Sequence, residues 1–173
     1  MVKRHTRGGK RRPGVVRRVA TLLVCVVVAA CGEAPVPQIP IGYRNPTAPL
    51  GGTSRFDQRR FAGEWHAAAC LGPCDSRVRY VAAPNGILIR DAGGSETPFR
   101  VSAPGILRQI DTDQTLVVMW IDEGFRTAVV GNADGRWAVV LDRQRPAGAD
   151  RVEAATEILD FNGWDVSQLR KIK

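Results

Sequence analysis

The stretch "TLVVMWIDEGFRTAVVGNADGRWAVVLDR", Thr115 to Arg143, holds three apolar runs separated by two short polar turns. "TLVVMWI", "TAVV" and "WAVVL" are rich in β-branched and aromatic residues, and "DEG" and "NADG" carry the Asp, Asn and Gly that sharp turns use. Runs this short are strands, and connections this tight join antiparallel neighbours. Neither "TLVVMWI" nor "WAVVL" alternates between polar and apolar side chains, so each must be covered on both faces. One cover is the interior of a barrel. Something else has to lie outside it.

That outer cover follows in "GADRVEAATEILDFNGWD". Asp150 and Glu153 stand three apart, as the cap and third residue of a capping-box-like start. Val152, Ala155, Thr156 and Leu159 form an i, i+3, i+4, i+7 stripe, and Asn162-Gly163 supply the stop. The pattern predicts one amphipathic helix lying on the sheet, after which "WDVSQLRKI" returns as a short strand or extended tail.

Upstream, "GEWHAAAC", "RVRYVAA", "GILIRD", "FRVSA" and "GILRQI" add five more runs, separated by "LGPCDS", "PNG", "AGGSETP" and "PG". "RVRYVAA" alternates, with Arg77 and Arg79 on one side and Val78 and Tyr80 on the other, so one side of that strand is wet. The predicted fold is all-β: a small antiparallel up-and-down β-barrel of about eight strands with one C-terminal α-helix packed outside. In "FAGEWHAAAC", Phe61 to Cys70, Trp65 reads as the floor of that barrel. Ala67 and Ala69 share its face under strict alternation and leave room above it. Tyr80 and one of Met119 and Trp120 are expected in the wall, which makes Ala67, Ala69, Tyr80 and Trp120 the candidate ligand-binding residues.

The chain has 173 residues and a formal charge of +8, which taken alone points to a nucleic-acid or anionic-membrane partner. The location of the charge removes that inference. Residues 1–30 hold eight of the 25 Lys and Arg and no acidic residue, leaving 17 basic against 17 acidic residues. No nucleic-acid partner is implied. The basic run precedes the apolar "VATLLVCVVVAA", Val19 to Ala30. Its length falls within the roughly 7–15 residues of a signal-peptide core and short of the ~18 of a spanning helix. The ending "VAAC" resembles a bacterial lipobox, which implies diacylglycerol on the Cys31 thiol and cleavage before it. Residues 1–30 are thus expected to be a lipoprotein signal peptide. Residues 31–55, rich in Pro and Gly and without sustained periodicity, are expected to form a lipid-anchored tether. Residues 56–173 are expected to form the barrel, helix and tail. Localisation in a bacterial cell envelope follows, lipid-anchored and facing the periplasm, with Gly32 after the cysteine favouring the outer membrane.

Cys25 lies in the signal and Cys31 takes the lipid, leaving Cys70 and Cys74 in "CLGPC". An exported chain with a Gly-Pro turn between two cysteines points to a local disulfide. His66 is the one histidine after residue 30. A zinc or redox site on His66, Cys70 and Cys74 is an alternative reading, but no fourth ligand stands out. No G-x-S-x-G elbow or phosphate-binding glycine loop is present, and the carboxylates are scattered. No enzyme, metal or cofactor is expected.

Several motifs together resemble the lipocalin family, most closely the bacterial outer-membrane lipocalins related to apolipoprotein D. They are Gly63-Glu64-Trp65 in the first strand, Asp122 to Arg126 in "DEGFR", Arg143 at the end of "VVLDR", and "GWDVSQL" after the helix. The resemblance is nearly continuous over residues 118–169 and loose over residues 66–115. It implies that Arg143 packs across Trp65 as a barrel-closing structural pair. It also implies a carrier of a small hydrophobic or amphipathic ligand, such as a fatty acid or lysophospholipid. Trp65 and Arg143 stand 78 positions apart, short for the family, with the deficit in the middle strands. A filled barrel acting as an envelope scaffold or inhibitor without ligand is therefore the alternative.

Overall fold

A computed structural model describes residues 42–84 and 86–172. Eight antiparallel strands follow one another round a closed barrel: β1 (Gly63–Leu71), β2 (Arg77–Ala83), β3 (Gly86–Arg90), β4 (Glu96–Ala103), β5 (Ile106–Gln109), β6 (Thr115–Ile121), β7 (Thr127–Asn132) and β8 (Ala138–Asp142). Each strand pairs with its successor, and β1 closes the ring by pairing with both β2 and β8. The short middle anticipated from the sequence lies in β3 and in β5, which has 4 residues. Past the barrel come α2 (Ala149–Phe161), a single 3₁₀ turn at Val166–Gln168, and β9 (Arg170–Lys171). β9 pairs with Ala69 and Cys70 on the edge of β1 that β2 leaves after His66.

The doubly apolar runs are covered as their composition demands. Every residue of β7 and β8 is buried. Val130, Val139 and Leu141 face an interior core with Trp65, Leu107, Val118 and Ile121. Val129, Val140, Val117 and Met119 face a second core under α2, where Ala155, Leu159 and Trp164 meet them. Gly131 makes that contact possible: a Cβ there would stand 2.7 Å from the Trp164 ring. The predicted helical stripe is the face that docks.

The predicted cap of α2 needs correcting. The cap position belongs to Gly148 and makes no side-chain hydrogen bond, and Asp150 sits inside the first turn. Arg151 sets this start by bonding Asp142 Oδ2 at 3.1 Å and Thr127 Oγ1 at 2.7 Å, which seats the first turn on β7 and β8. Asp150 still places negative charge at the positive end of the helix dipole.

The tether expectation also needs correcting where it can be seen. Residues 42–55 are held to the folded body. The Tyr43 N–H donates to Gly135 O at 2.8 Å, its carbonyl accepts from Asp165 N at 2.8 Å, and Thr53 N donates to Val118 O at 2.8 Å. Arg44 is buried and donates from Nε to Asn162 O at 2.9 Å. The physical reason lies in unpaired backbone: the last carbonyls of α2 and an outer carbonyl of β6 need donors, and this segment supplies them. Residues 31–41 of the expected tether, the signal segment and Cys31 lie outside the described residues. Among the described residues no helix is long and apolar enough to cross a membrane.

Candidate functional site

One end of the barrel is closed by a short helix, α1 (Gln58–Phe61), which the sequence reading missed. Asp57 caps it, accepting from Arg59 N at 2.9 Å and Arg60 N at 3.0 Å. Phe61 at its end is fully buried, with its ring 4.9 Å from that of Trp65 and 4.7 Å from that of Tyr80. Trp65 Nε1 donates to Phe61 O at 2.9 Å, so the indole has its polar partner as well as its packing. The signal for α1 was local, Asp57 followed by "QRRF", but one turn of helix is too short to show a period.

Arg143 lies over this closed end. Its guanidinium carbon is 3.8 Å from the centre of the Trp65 ring. Nη1 donates to Glu64 O at 2.8 Å, and Nη2 reaches Ala62 O at 2.8 Å and Phe61 O at 3.1 Å. One planar cation thus ties the end of β8 to the start of β1 and satisfies the last carbonyls of α1. Gly63 is small because of it: a Cβ there would stand 2.8 Å from Arg143 Nη1, at a φ of +110°. The β6–β7 turn abuts the same end. There Asp122 accepts from Thr127 N at 2.8 Å and Arg126 Nε at 2.9 Å, and the Arg60 guanidinium lies 3.9 Å from the Phe125 ring centre.

The barrel is lipocalin-like. No protein-family model and no curated protein sequence matches the chain. Among solved structures it is similar to lobster apocrustacyanin A1, at 12% identity and TM-score 0.49 over 66% of this chain and 78% of that one. It is also similar to the siderocalin Ex-FABP, at 16% identity and TM-score 0.47 over 65% of this chain and 93% of that one. Apocrustacyanin C1 matches at 12% identity and TM-score 0.48 over 70% of this chain and 88% of that one.

The other end is open. A cavity of about 530 Å³ descends from it, within the size range of small-molecule sites. Its deep wall is made of five buried inward side chains from four strands: Tyr80 of β2, Phe99 of β4, Leu116 of β6, and Val139 and Leu141 of β8. Polar groups stand round the mouth, namely Asp75, Asp91, Gln109 and Gln114, beside half-buried Trp137. Among the described residues no Arg or Lys lines it. The Cys70–Cys74 disulfide is formed, with Cys70 buried inside and Cys74 on the cavity wall. A larger groove of about 890 Å³ runs outside, between β1, α2 and the tail. It has no comparable floor, because only Ala67 and Ala69 in its lining are buried apolar residues.

Of the candidate ligand residues, only Tyr80 lines the barrel cavity, and burial pushes its phenol pKa well up. Ala67 faces the interior core but does not line the cavity. Ala69 and Trp120 require correction, for one shared reason. The β1–β8 register shifts between Ala67 and Ala69, and the β6–β7 register shifts between Val118 and Trp120. Each bulge adds one residue and reverses the alternation beyond it. Ala69 therefore joins the core under α2, and Cys70 takes the inward place. Met119 and Trp120 both face outward, with Val118 and Ile121 inside. His66 lies on the outer groove, its Nε2 3.6 Å from Glu64 Oε1, while both cysteine sulfurs are bonded to each other. The three residues of the alternative zinc reading are not brought together. The carboxylate the sequence did not single out is Asp142: it is fully buried and accepts from Thr127 Oγ1 at 2.6 Å as well as from Arg151.

Proposed function

We propose that this protein is a binding protein, without turnover, for an amphipathic molecule whose apolar chain enters the open end of the barrel. The observation that carries the reading is the cavity's division into a deep apolar wall, Tyr80 to Leu141, and an acidic, amide-bearing mouth. Burying an alkyl chain there contributes about 0.8 kcal/mol per CH₂, enough for micromolar binding after the costs of association. The mouth selects the head group. With Asp75 and Asp91 present and no basic side chain among the described residues of the lining, a fatty-acid carboxylate meets repulsion. A neutral or cationic head is favoured, and a Trp137 ring lining the same cavity as the two carboxylates suits a quaternary ammonium. Of the two ligand classes expected from the sequence, the zwitterionic lysophospholipid fits and the fatty acid does not.

The lipobox-like "VAAC" supports anchoring through Cys31 on the periplasmic side of a bacterial envelope, and Gly32 after it supports the outer membrane. The placement of Gly63-Glu64-Trp65 under Arg143 supports kinship with the bacterial outer-membrane, apolipoprotein D-like lipocalins.

Displacement of a fluorescent lysophosphatidylcholine tests the reading. Saturable micromolar binding is expected, at least tenfold weaker for a fatty acid of equal chain length at pH 8, and lost in Val139→Trp, which fills the deep wall. No saturable binding at tens of micromolar, or binding indifferent to Val139→Trp, would leave the barrel as a scaffold whose closed half is its purpose.

A further inference from the structure

The strands that α2 leaves bare carry a patterned surface. Val81 pairs across to Leu88, and Leu88 to Pro98. Ile110 continues the row, since its N–H donates to Pro98 O at 3.2 Å. Val81, Leu88 and Pro98 are half-buried, belong to neither core, and point away from the barrel interior. Ile110 is 63% exposed, one of two large hydrophobic side chains so placed among the described residues. The result is an apolar row crossing β2, β3 and β4 on the outer face and ending at Ile110, the residue just past β5.

Arginines flank the row on both sides. Arg79 stands directly opposite Arg90 on one side, and Arg100 directly opposite Arg108 on the other. Like charges directly opposite in an antiparallel ladder destabilise it. Glu96 bonds Arg90, but among the described residues Arg77, Arg79, Arg100 and Arg108 make no ion pair. The acidic residues Asp150, Glu153, Glu157 and Asp160 lie instead on α2, which packs on β6, β7 and β8. On β2 to β5 themselves the outward Arg77, Arg79, Arg90, Arg100 and Arg108 outnumber the carboxylate Glu96. Glu64 of β1 stands opposite Arg79, and Asp111 and Asp113 follow Ile110 at the rim, so these strands carry an excess of cations beside a hydrophobic stripe.

We propose that this β2–β5 face docks on an anionic phospholipid surface, with Val81, Leu88, Pro98 and Ile110 entering the interfacial zone and the flanking guanidiniums meeting lipid phosphates. Charge complementarity and the apolar row together favour a bilayer over an acidic polypeptide. Phosphates supply counter-charge to Arg77, Arg79, Arg100 and Arg108, which make no ion pair among the described residues, and a bilayer gives the row an apolar medium to enter. Long arginine stems suit this, because they reach polar groups while their methylenes stay in apolar surroundings. The face acts independently of Cys31 and of the barrel cavity.

The test uses the full chain with Cys25→Ser and Cys31→Ser, so that neither lipid nor stray thiol intervenes. An environment-sensitive fluorophore is placed at Ile110→Cys or, as control on the helix, at Glu157→Cys. On phosphatidylglycerol-containing vesicles the label at 110 should shift to shorter wavelength and be quenched by lipid-borne nitroxide, while the label at 157 stays in water. Phosphatidylcholine vesicles should give neither effect. Arg79→Gln, Arg100→Gln and Arg108→Gln should each lower the partition coefficient about fivefold, as expected for one charge at an anionic surface. The basic N-terminal run can itself bind such vesicles. If the chain sediments with them while both labels remain in water, that run alone is responsible and the docking face is refuted. Shielding of the 110 label by an acidic polypeptide, but not by vesicles, would equally overturn it.

Discussion

Replacing Arg143 by Ala removes the side chain that ties the end of β8 to β1, α1 and the β6–β7 turn at the closed end of the barrel. The loss divides into parts that the structure sizes. The stacked guanidinium, 3.8 Å from the Trp65 ring centre, contributes about 1–2 kcal/mol where sheltered. The carbonyls of Glu64, Phe61 and Ala62 lose a charged donor now at 2.8 to 3.1 Å. Hydrogen bonds to charged groups contribute about 1.5–3 kcal/mol each when buried. Here the Nη1 side is open to water, which re-solvates Glu64 O, and Nη2 shares its hydrogens among several carbonyls. A net loss of about 2–4 kcal/mol is expected. For a domain of this size that lowers Tm by about 8–16 °C in calorimetry or denaturant titration. Arg143→Lys should recover less than half, because an ammonium has neither the planar stack nor the fork. Gly63→Ala supplies the cross-check. Its added Cβ meets Arg143 Nη1 at 2.8 Å, so its cost should shrink in the Arg143→Ala background, leaving only the strain of the +110° φ. Ligand affinity should stay unchanged in all of these folded variants, since neither Trp65 nor Arg143 lines the cavity. An Arg143→Ala protein within about 0.5 kcal/mol of wild type, or no coupling to Gly63, would refute the assignment of Arg143 as the closing tie.

Three further outcomes are expected. Removing the disulfide with Cys70→Ala and Cys74→Ala should lower stability by about 2 kcal/mol on the chain-entropy model and weaken ligand binding, because Cys74 lines the cavity; unchanged affinity would place the ligand elsewhere. Burial pushes the Asp122 carboxyl up, but hydrogen bonds from Thr127 N and from the side chain and backbone of Arg126 outweigh it and hold the pKa below its ordinary value. Stability from this group is therefore full above the unfolded carboxylate pKa of about 3.9 and lost as pH falls through the folded value, so the gap between wild type and Asp122→Asn should close below about pH 4. Cys31→Ser expressed in a bacterium should release the protein from the salt-washed membrane fraction, and persistent pelleting in 1 M salt, of the order at which the Debye length falls to about 3 Å, would contradict the anchor.

Much of the architecture was legible in the order of residues because it depends on local signals. Turn residues between short β-branched runs dictate antiparallel neighbours, and the two-sided apolarity of Thr115–Ile121 and Ala138–Asp142 demands an outer cover, met by the stripe from Val152 to Leu159. Cys70 and Cys74 are close enough in sequence for pairing to be a local matter. What only the tertiary structure decided is which way particular side chains face. Alternation is a rule of period two, and a single bulge inverts it from that point on. The bulge near Ala68 sends Ala69 outward and Cys70 inward, and the one at Met119 leaves both Met119 and Trp120 outside. Nothing in "AAA" or "VMW" marks which residue is the extra one, because the choice is made by the register of the neighbouring strand. The same holds for Arg44, the Asp142–Arg151 pair and the row from Val81 to Ile110. Their partners are set by which backbone groups and which strands the closed ring brings side by side, and a ring closes only in three dimensions.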